Sequence, residues 1–284
     1  FRYICVQNRS MYTEYQPSHL LVPYIDSYWE FKGNPDYGMR IHILPDGCTD
    51  FIFTLGEVAN AVEEGSLIMQ PYRSYFVGPM TKYSELVTYT ESIHMFGVRF
   101  LPCGLSCFTN LPLHEFVNSR VSTNEMKAVF DDTFIEKLGE QKHVTDRIRV
   151  VEEYLLAYLA RHYQPADSHV AMAVNMINHS KGKRSVRSLM DDVCLCQRHF
   201  ERKFKHYTGF TPKEYSRIVK FKNAVELLRT TTSANLLTTA VDAGYYDLAH
   251  FSKEIKSMSG NTPASFLSLT VPEETTLTYI EPQR

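Results

Sequence analysis

Over the first hundred residues, apolar positions come in short runs and alternations. "RIHILPDGCTDFIFTL" (40–55) is dense in Ile, Phe and Thr on either side of "PDG", a turn signal. "SYFVGP", "SELVTYT" and "IHMFGVRFLP" follow at short intervals. Short strands punctuated by Gly and Pro predict a barrel or sandwich. After Pro102 the period changes. Between Val144 and Tyr163, Ile148, Val151, Leu155 and Leu159 recur at three- and four-residue steps with charges between them. That spacing predicts an amphipathic helix. It pairs with a second chain or packs on the barrel, and the pattern leaves both open. "QPADSH" (164–169) breaks the period and marks a domain boundary.

Beyond Asp167 the pattern predicts short helices. "DSHVAMAVNMINHS" comes first, with Asp167 or Ser168 as cap. "SVRSLMDDV" is about two turns, and "QRHFERKFKHYTG" is a helix ended by Gly209. "TPKEYSRIVKFKNAVELLR" opens with Thr211 as cap and Pro212 at the first helical position, where its missing N–H costs nothing. "LLTTAVDAG" ends at Gly244, and "DLAHFSKEIKSMSG" is capped by Asp247 and ended by Gly260. "TPASFLS" closes the series on Thr262 and Pro263.

Two of these helices repeat one another. "HFERKFKHYTGFTP" (199–212) and "HFSKEIKSMSGNTP" (250–263) share His, Phe, Lys, Gly, Thr and Pro at matching positions. Each follows a short helix and a tight turn, which is the helix-turn-helix arrangement. His199, Phe200 and Phe204, and then His250, Phe251 and Ile255, read as core. The opposite faces carry Gln197, Arg198, Glu201, Arg202 and Lys205, then Leu248, Ala249, Ser252, Lys253 and Lys256. A basic outer face on a second helix suits the DNA major groove, where Arg meets guanine edges and Lys meets phosphate. The helix from Pro212 to Arg229 would span roughly 27 Å. A rod of that length could set two such helices into major grooves ~34 Å apart.

Charge sharpens this division. Residues 1–169 hold 14 Lys+Arg and 21 Asp+Glu, while residues 170–270 hold 15 and 8. An acidic half joined to a basic half points to a polyanion as partner of the second. The chain is 44% hydrophobic, too much for a disordered one. No run of ~18 apolar residues predicts a membrane span. The start "FRYICVQNRS" does not read as a signal sequence. The six cysteines form no C-x-x-C pair and read as reduced thiols of a cytoplasmic protein.

Residues 170–270 resemble the DNA-binding domain of the AraC/XylS family of bacterial transcription regulators. The resemblance rests on "AVDAGYYDLAHFSKEIKSMSGNTPASF" and "RHFERKFKHYTGFTPKEYSRIVKFKNAVELL". "YIDSYWEFKG" and "RIHILPDGCTDFIF" also resemble a small β-rich domain found ahead of such modules. The family resemblance implies base contacts by Arg198, Glu201 and Arg202, then by Leu248, Ala249 and Lys253. Cys194 stands where the family commonly has Gly in the turn, and Cys196 where it has Ser or Thr as helix cap. Leu248 and Ala249 replace polar base readers and offer only apolar contact, such as to a thymine methyl.

The expected fold class is α+β. Residues 1–110 form a β-rich, barrel-like regulatory domain and 111–165 a helical connector or dimerisation segment. Residues 166–270 form an all-α domain of two helix-turn-helix units joined by a long helix, and 271–284 a tail. The expected function is sequence-specific transcription regulation, activation included, without catalysis, cofactor or metal. The expected partners are double-stranded DNA, RNA polymerase, a small-molecule effector of the N-terminal domain and a second copy of the chain. The rival is a metal-binding barrel enzyme with a nucleic-acid tether, built on His42 and His94. No H-x-H pair supports it. A methyl-accepting repair regulator would need a four-cysteine cluster that the N-terminal half lacks. Asp46 and Asp50 read as loop-shaping residues. Tyr24, Tyr28, Trp29, Phe31 and Tyr37 line either an effector pocket or the barrel core.

Overall fold

The computed structural model describes residues 2–5, 11–62, 65–126, 129–130, 132–162, 164–193, 195–230, 236–267 and 278–279. Cys194 lies outside them. The strands in chain order are β1 (Arg2–Cys5), β2 (Tyr12–Tyr15), β3 (Ile25–Gly33), β4 (Met39–Ile43), β5 (Thr49–Thr54), β6 (Asn60–Ala61), β7 (Ser74–Val77), β8 (Ser84–Thr88), β9 (Ile93–Phe100), β10 (Arg120–Ser122) and β11 (Thr278–Tyr279). They form a six-stranded antiparallel sheet, β10-β7-β5-β9-β3-β2, and a second sheet, β11-β1-β4-β8-β6.

The near-continuous apolar run of β5 follows from its position. Successive side chains point to opposite faces, and both faces of the six-stranded sheet are covered. Ile52 joins Trp29, Phe31, Ile41 and Leu86 between the two sheets. Phe51 and Phe53 point the other way, toward Phe130 and two helices, α1 (Asp132–Gly139) and α2 (Val144–His162). Phe53 packs edge-on against Phe130 at 5.3 Å, a favourable aromatic geometry. From α2, Val151 and Leu155 are fully buried in this layer, each worth roughly 1.5–3 kcal/mol. The apolar stripe of α2 therefore packs on the sheet. β10 pairs with β7, so the sheet takes a strand from the segment expected to be helical connector and runs past residue 110. The alternation of "RVS" over three residues is too short to signal this.

The second half is helical: α3 (Ser168–His179), α4 (Val186–Val193), α5 (Gln197–Thr208), α6 (Pro212–Thr230), α7 (Leu236–Asp242), α8 (Leu248–Ser259) and α9 (Pro263–Leu267). α6 is the shared beam. Tyr215, Ile218, Phe221, Ala224, Val225 and Leu228 are all buried, because helices from both repeats pack around it. Thr211 and Glu214 form a reciprocal capping box at its start. The Glu214 N–H donates to Thr211 Oγ1 at 3.1 Å, and the Thr211 N–H donates to Glu214 Oε2 at 2.7 Å.

The β-rich half touches this bundle at several points. Leu44 and Cys103 belong to the helical core. The Lys222 ammonium donates to the Asp46 carbonyl at 3.2 Å. Asp167 caps α3 and accepts from Lys203 of α5 at 2.6 Å. The loop between β7 and β8 reaches both repeats. Gly209 and Gly260, the left-handed caps of α5 and α8, lie against Pro79 and Tyr83. A Cβ on Gly209 would sit 2.5 Å from Pro79 Cγ, and one on Gly260 would sit 2.7 Å from Tyr83 Cζ. Glycine meets two demands at these caps, a positive φ and close packing.

Candidate nucleic-acid interface

α5 and α8 are built alike. Phe200, Phe204 and Thr208 are buried on one side of α5. Phe251, Ile255, Met258 and Ser259 repeat this on α8. Thr208 Oγ1 donates back to the Phe204 carbonyl at 2.7 Å, and Ser259 Oγ donates to that of Ile255 at 2.7 Å. The Gly209 N–H closes the last turn on the Lys205 carbonyl, and the Gly260 N–H on that of Lys256, both at 2.9 Å. The repeated Gly-x-Thr-Pro is thus a helix stop followed by a helix start.

The outward face of α5 gathers Gln197, Arg198, Glu201, Arg202 and Lys205 along one open cleft. Gln197 Nε2 donates to Glu201 Oε1 at 2.9 Å, one turn along the helix. Among the described residues, Arg198, Arg202 and Lys205 have no carboxylate partner, so their charges face solvent. Lys203 lies on the flank and is held by Asp167. Burial tends to raise the Asp167 carboxyl, but the Lys203 hydrogen bond and the α3 N–H groups outweigh this, and its pKa lies below the usual aspartate value.

α8 presents Leu248, Ala249, Lys253 and Lys256 outward. Sequence reasoning missed the neighbour of this face, Tyr246. It is 92% exposed, directly before the Asp247 cap. Leu237 and Val241 of α7 are exposed beside the same unit. The start of α8 is therefore apolar where the start of α5 is polar and charged. His250 departs from the core role expected for it. It is exposed, and its ring meets the edge of Tyr245 at 5.4 Å. One residue turns a helix by about 100°, so the position before Phe251 falls on the flank. His199 is half-buried at the matching place.

The two helices start differently. The Asp247 side chain accepts from the His250 N–H at 2.7 Å. Cys196 occupies the cap of α5 with φ −66° and ψ 145° but makes no side-chain cap bond. A thiol is a poor acceptor for the equivalent N–H, that of His199. Cys196→Ser is expected to stabilise the protein by about 1 kcal/mol, read as a higher urea midpoint at unchanged slope.

The other candidates fall elsewhere. His42 stacks on Tyr83 at 6.1 Å, while His94 meets Glu30 at 2.9 Å. Among the described residues, no three His, Cys, Asp or Glu side chains come together as a metal ion would need. Asp46 does shape its loop, accepting from the Cys48 N–H at 2.9 Å. Asp46 and Asp50 also share Arg99, a partner that sequence reasoning did not foresee. Trp29 and Phe31 line a small apolar cavity between the sheets, beside Asp50, Arg99, Met80 and Met95. Tyr28 lies in the layer on the other face of the sheet, Tyr24 packs against that layer, and Tyr37 is 82% exposed. Among the described residues, no helix is long and apolar enough to cross a membrane.

Comparison with known proteins matches this architecture. Residues 13–122 match a family described as a domain of unknown function (DUF6597), and residues 189–268 one described as a helix-turn-helix domain. No curated protein matches the chain. Among solved structures, ToxT from Vibrio cholerae is 9% identical, with 85% of this chain and 98% of that one covered at a TM-score of 0.50. Wild-type ToxT of Vibrio cholerae strain SCE256, bound to an unsaturated fatty acid, is 11% identical over 88% and 99%, at 0.49. A probable AraC family transcriptional regulator from Rhodopseudomonas palustris CGA009 is 20% identical over 36% and 95%, at 0.33. The likeness to ToxT extends to both halves and concerns the fold; the helix-turn-helix match falls on the two capped, solvent-facing helices. The chain carries a helix-turn-helix domain over residues 189–268, behind a β-rich N-terminal domain, on a fold shared with ToxT.

Proposed function

We propose that α5 and α8 enter successive major grooves on one face of the duplex, so that a single chain reads two half-sites. The observation that carries this is the pair of equivalent, solvent-facing helices mounted on one beam. α6 has 19 residues, roughly 28 Å of helix, against ~34 Å between grooves on one face. Arg198, Glu201 and Arg202 read bases, with Gln197 and Lys205 at the edges of the contact. Leu248 and Ala249 give apolar contact, and Lys253 and Lys256 mainly grip phosphate. In this reading residues 166–270 are the DNA-binding domain, the β-rich part is regulatory, and the helices up to residue 165 connect them. The partner it acts on is RNA polymerase, in the cytoplasm.

A small apolar effector in the cavity between the sheets would act on the DNA-binding heads through Met80. That residue lines the cavity and lies in the same loop as Pro79 and Tyr83, which press on both helix caps. The cavity holds about 40 Å³, so a larger ligand enters by displacing flexible methionines. A second copy of the chain is not needed for two-site reading.

The test is a fragment of residues 166–270 on duplex DNA selected from random sequence. It is expected to bind as a monomer and to protect about two helical turns on one face. Protection of a single turn, or binding only as a dimer, contradicts the two-headed reading.

A further inference from the structure

Between the two helix-turn-helix units lies a half-open groove of about 650 Å³, within the usual range for ligand sites. Its lining comes from α6, from the α3–α4 turn, and from Tyr245, His250 and Glu254 of the second unit. None of the residues proposed above to contact DNA lines it. Five cationic side chains do: Lys183, Arg184, Lys213, Arg217 and Lys220. Arg217 is paired with Glu254 at 2.7 Å, and Arg184 with Asp192. Among the described residues, Lys220 donates to the Gly244 carbonyl at 3.2 Å and lies over the Tyr245 ring, whose centre is 5.6 Å away. Lys183 and Lys213 have no carboxylate partner among the described residues.

Tyr245 supplies the second, independent observation. It is 5% exposed, and its buried hydroxyl has no hydrogen-bond partner among the described residues. An unpaired buried hydroxyl costs about 1–3 kcal/mol. Glu254 and Arg217 are the charged groups that act on this hydroxyl, and among the described residues neither bonds to it. The groove is therefore rich in donors and positive charge, and Glu254, already engaged by Arg217, is the one carboxylate in its lining. What would complete it is an anion with several acceptor oxygens. Burial, reinforced by Lys183, holds Lys220 below the ordinary lysine range against the pull of Glu254. A bound anion would reverse that.

We infer that the groove between the two heads is a phosphate-binding site, with Lys183, Lys220 and the Tyr245 hydroxyl as its principal donors. The phosphate comes either from a free phosphorylated molecule or from the DNA strand spanning the two half-sites.

The experiment uses the full chain, wild type and three variants: Lys220→Gln, Lys183→Gln on the exposed turn, and Tyr245→Phe. One arm titrates inorganic pyrophosphate without DNA, followed by calorimetry and thermal unfolding. The other measures DNA affinity across salt concentrations. A free ligand predicts saturable pyrophosphate binding that raises the melting temperature. Lys220→Gln and Lys183→Gln would then each weaken it about tenfold, with the salt slope unchanged. A DNA phosphate predicts that each Lys→Gln change lowers the salt slope by about one unit. Tyr245→Phe is expected to weaken the anion in whichever arm responds, and to leave the unliganded protein at least as stable as wild type. Pyrophosphate binding that is absent or indifferent to the lysines, together with an unchanged salt slope, overturns the site.

Discussion

Arg99→Ala is expected to destabilise the protein by about 3–5 kcal/mol, the cost of removing one partner from a buried ion pair. Asp50 and Arg99 sit directly opposite each other on β5 and β9. The Arg99 Nε donates to both Asp50 oxygens, at 2.9 and 3.1 Å, and its Nη1 lies 3.3 Å from Asp46. Trp29 Nε1 adds a 2.7 Å bond to Asp50. The side chain of Arg99 is 5% exposed, so water cannot replace it. Its loss takes the countercharge from two carboxylates. One of them, Asp46, belongs to the loop whose backbone carbonyl is held by Lys222 of α6. Burial already raises the Asp50 carboxyl, with Arg99 as the main opposing charge. Without Arg99 the folded-state pKa rises further above its unfolded value. The neutral form is then favoured by folding, so the deficit is greatest at neutral pH and shrinks as pH falls. Urea titrations of wild type and variant from pH 7 to pH 4 check this. A deficit under about 1 kcal/mol, or one that grows on acidification, would show that the network is not a buried one.

Arg202→Ala is expected to weaken binding to the selected operator by about 1–3 kcal/mol and to relax preference at one base pair. Arg202 is exposed, lies away from Phe200 and Phe204, and has no acidic partner among the described residues. Its guanidinium is therefore free to fork onto a guanine edge without first breaking an ion pair. Lys256, in the last turn of α8 beside the Gly260 cap, should act differently. Its loss should weaken all sequences alike and reduce the salt slope by about one unit. Leu248→Ala should do less than Arg202→Ala, since a methyl contact leaves no hydrogen bond unpaired. Titrations on single-base operator variants at several salt concentrations separate these effects. A uniform loss for Arg202→Ala would make it a phosphate contact and remove the main support for base reading by the first head.

Much of the layout of α5 and α8 was legible in the sequence because its determinants are local. Thr211, Pro212 and Glu214 start α6, and Gly209 and Gly260 stop α5 and α8, through bonds that span three or four residues. The 3.6-residue period around Phe200 and Phe204, then Phe251 and Ile255, separates the buried side of each helix from its outer side, so the positions on the outer sides could be named in advance. The same reasoning misplaced His250, which lies about 100° round the helix from Phe251 and so falls on the flank rather than in the core.

What only the tertiary structure decided spans long separations. Pairing of β10 with β7, and of Arg99 with Asp46 and Asp50, joins positions about 45–55 residues apart. The covering of one sheet on both faces turns α2 inward, a choice that its amphipathic stripe alone left open. Contact of a single loop with two helix caps, and the donor-rich groove between the heads, bring together residues whose spacing carries no period. Local hydrogen bonds and helical periodicity act within one turn and leave a mark on neighbouring residues. Packing between distant segments is selected by the burial of the whole chain, and no short stretch records it.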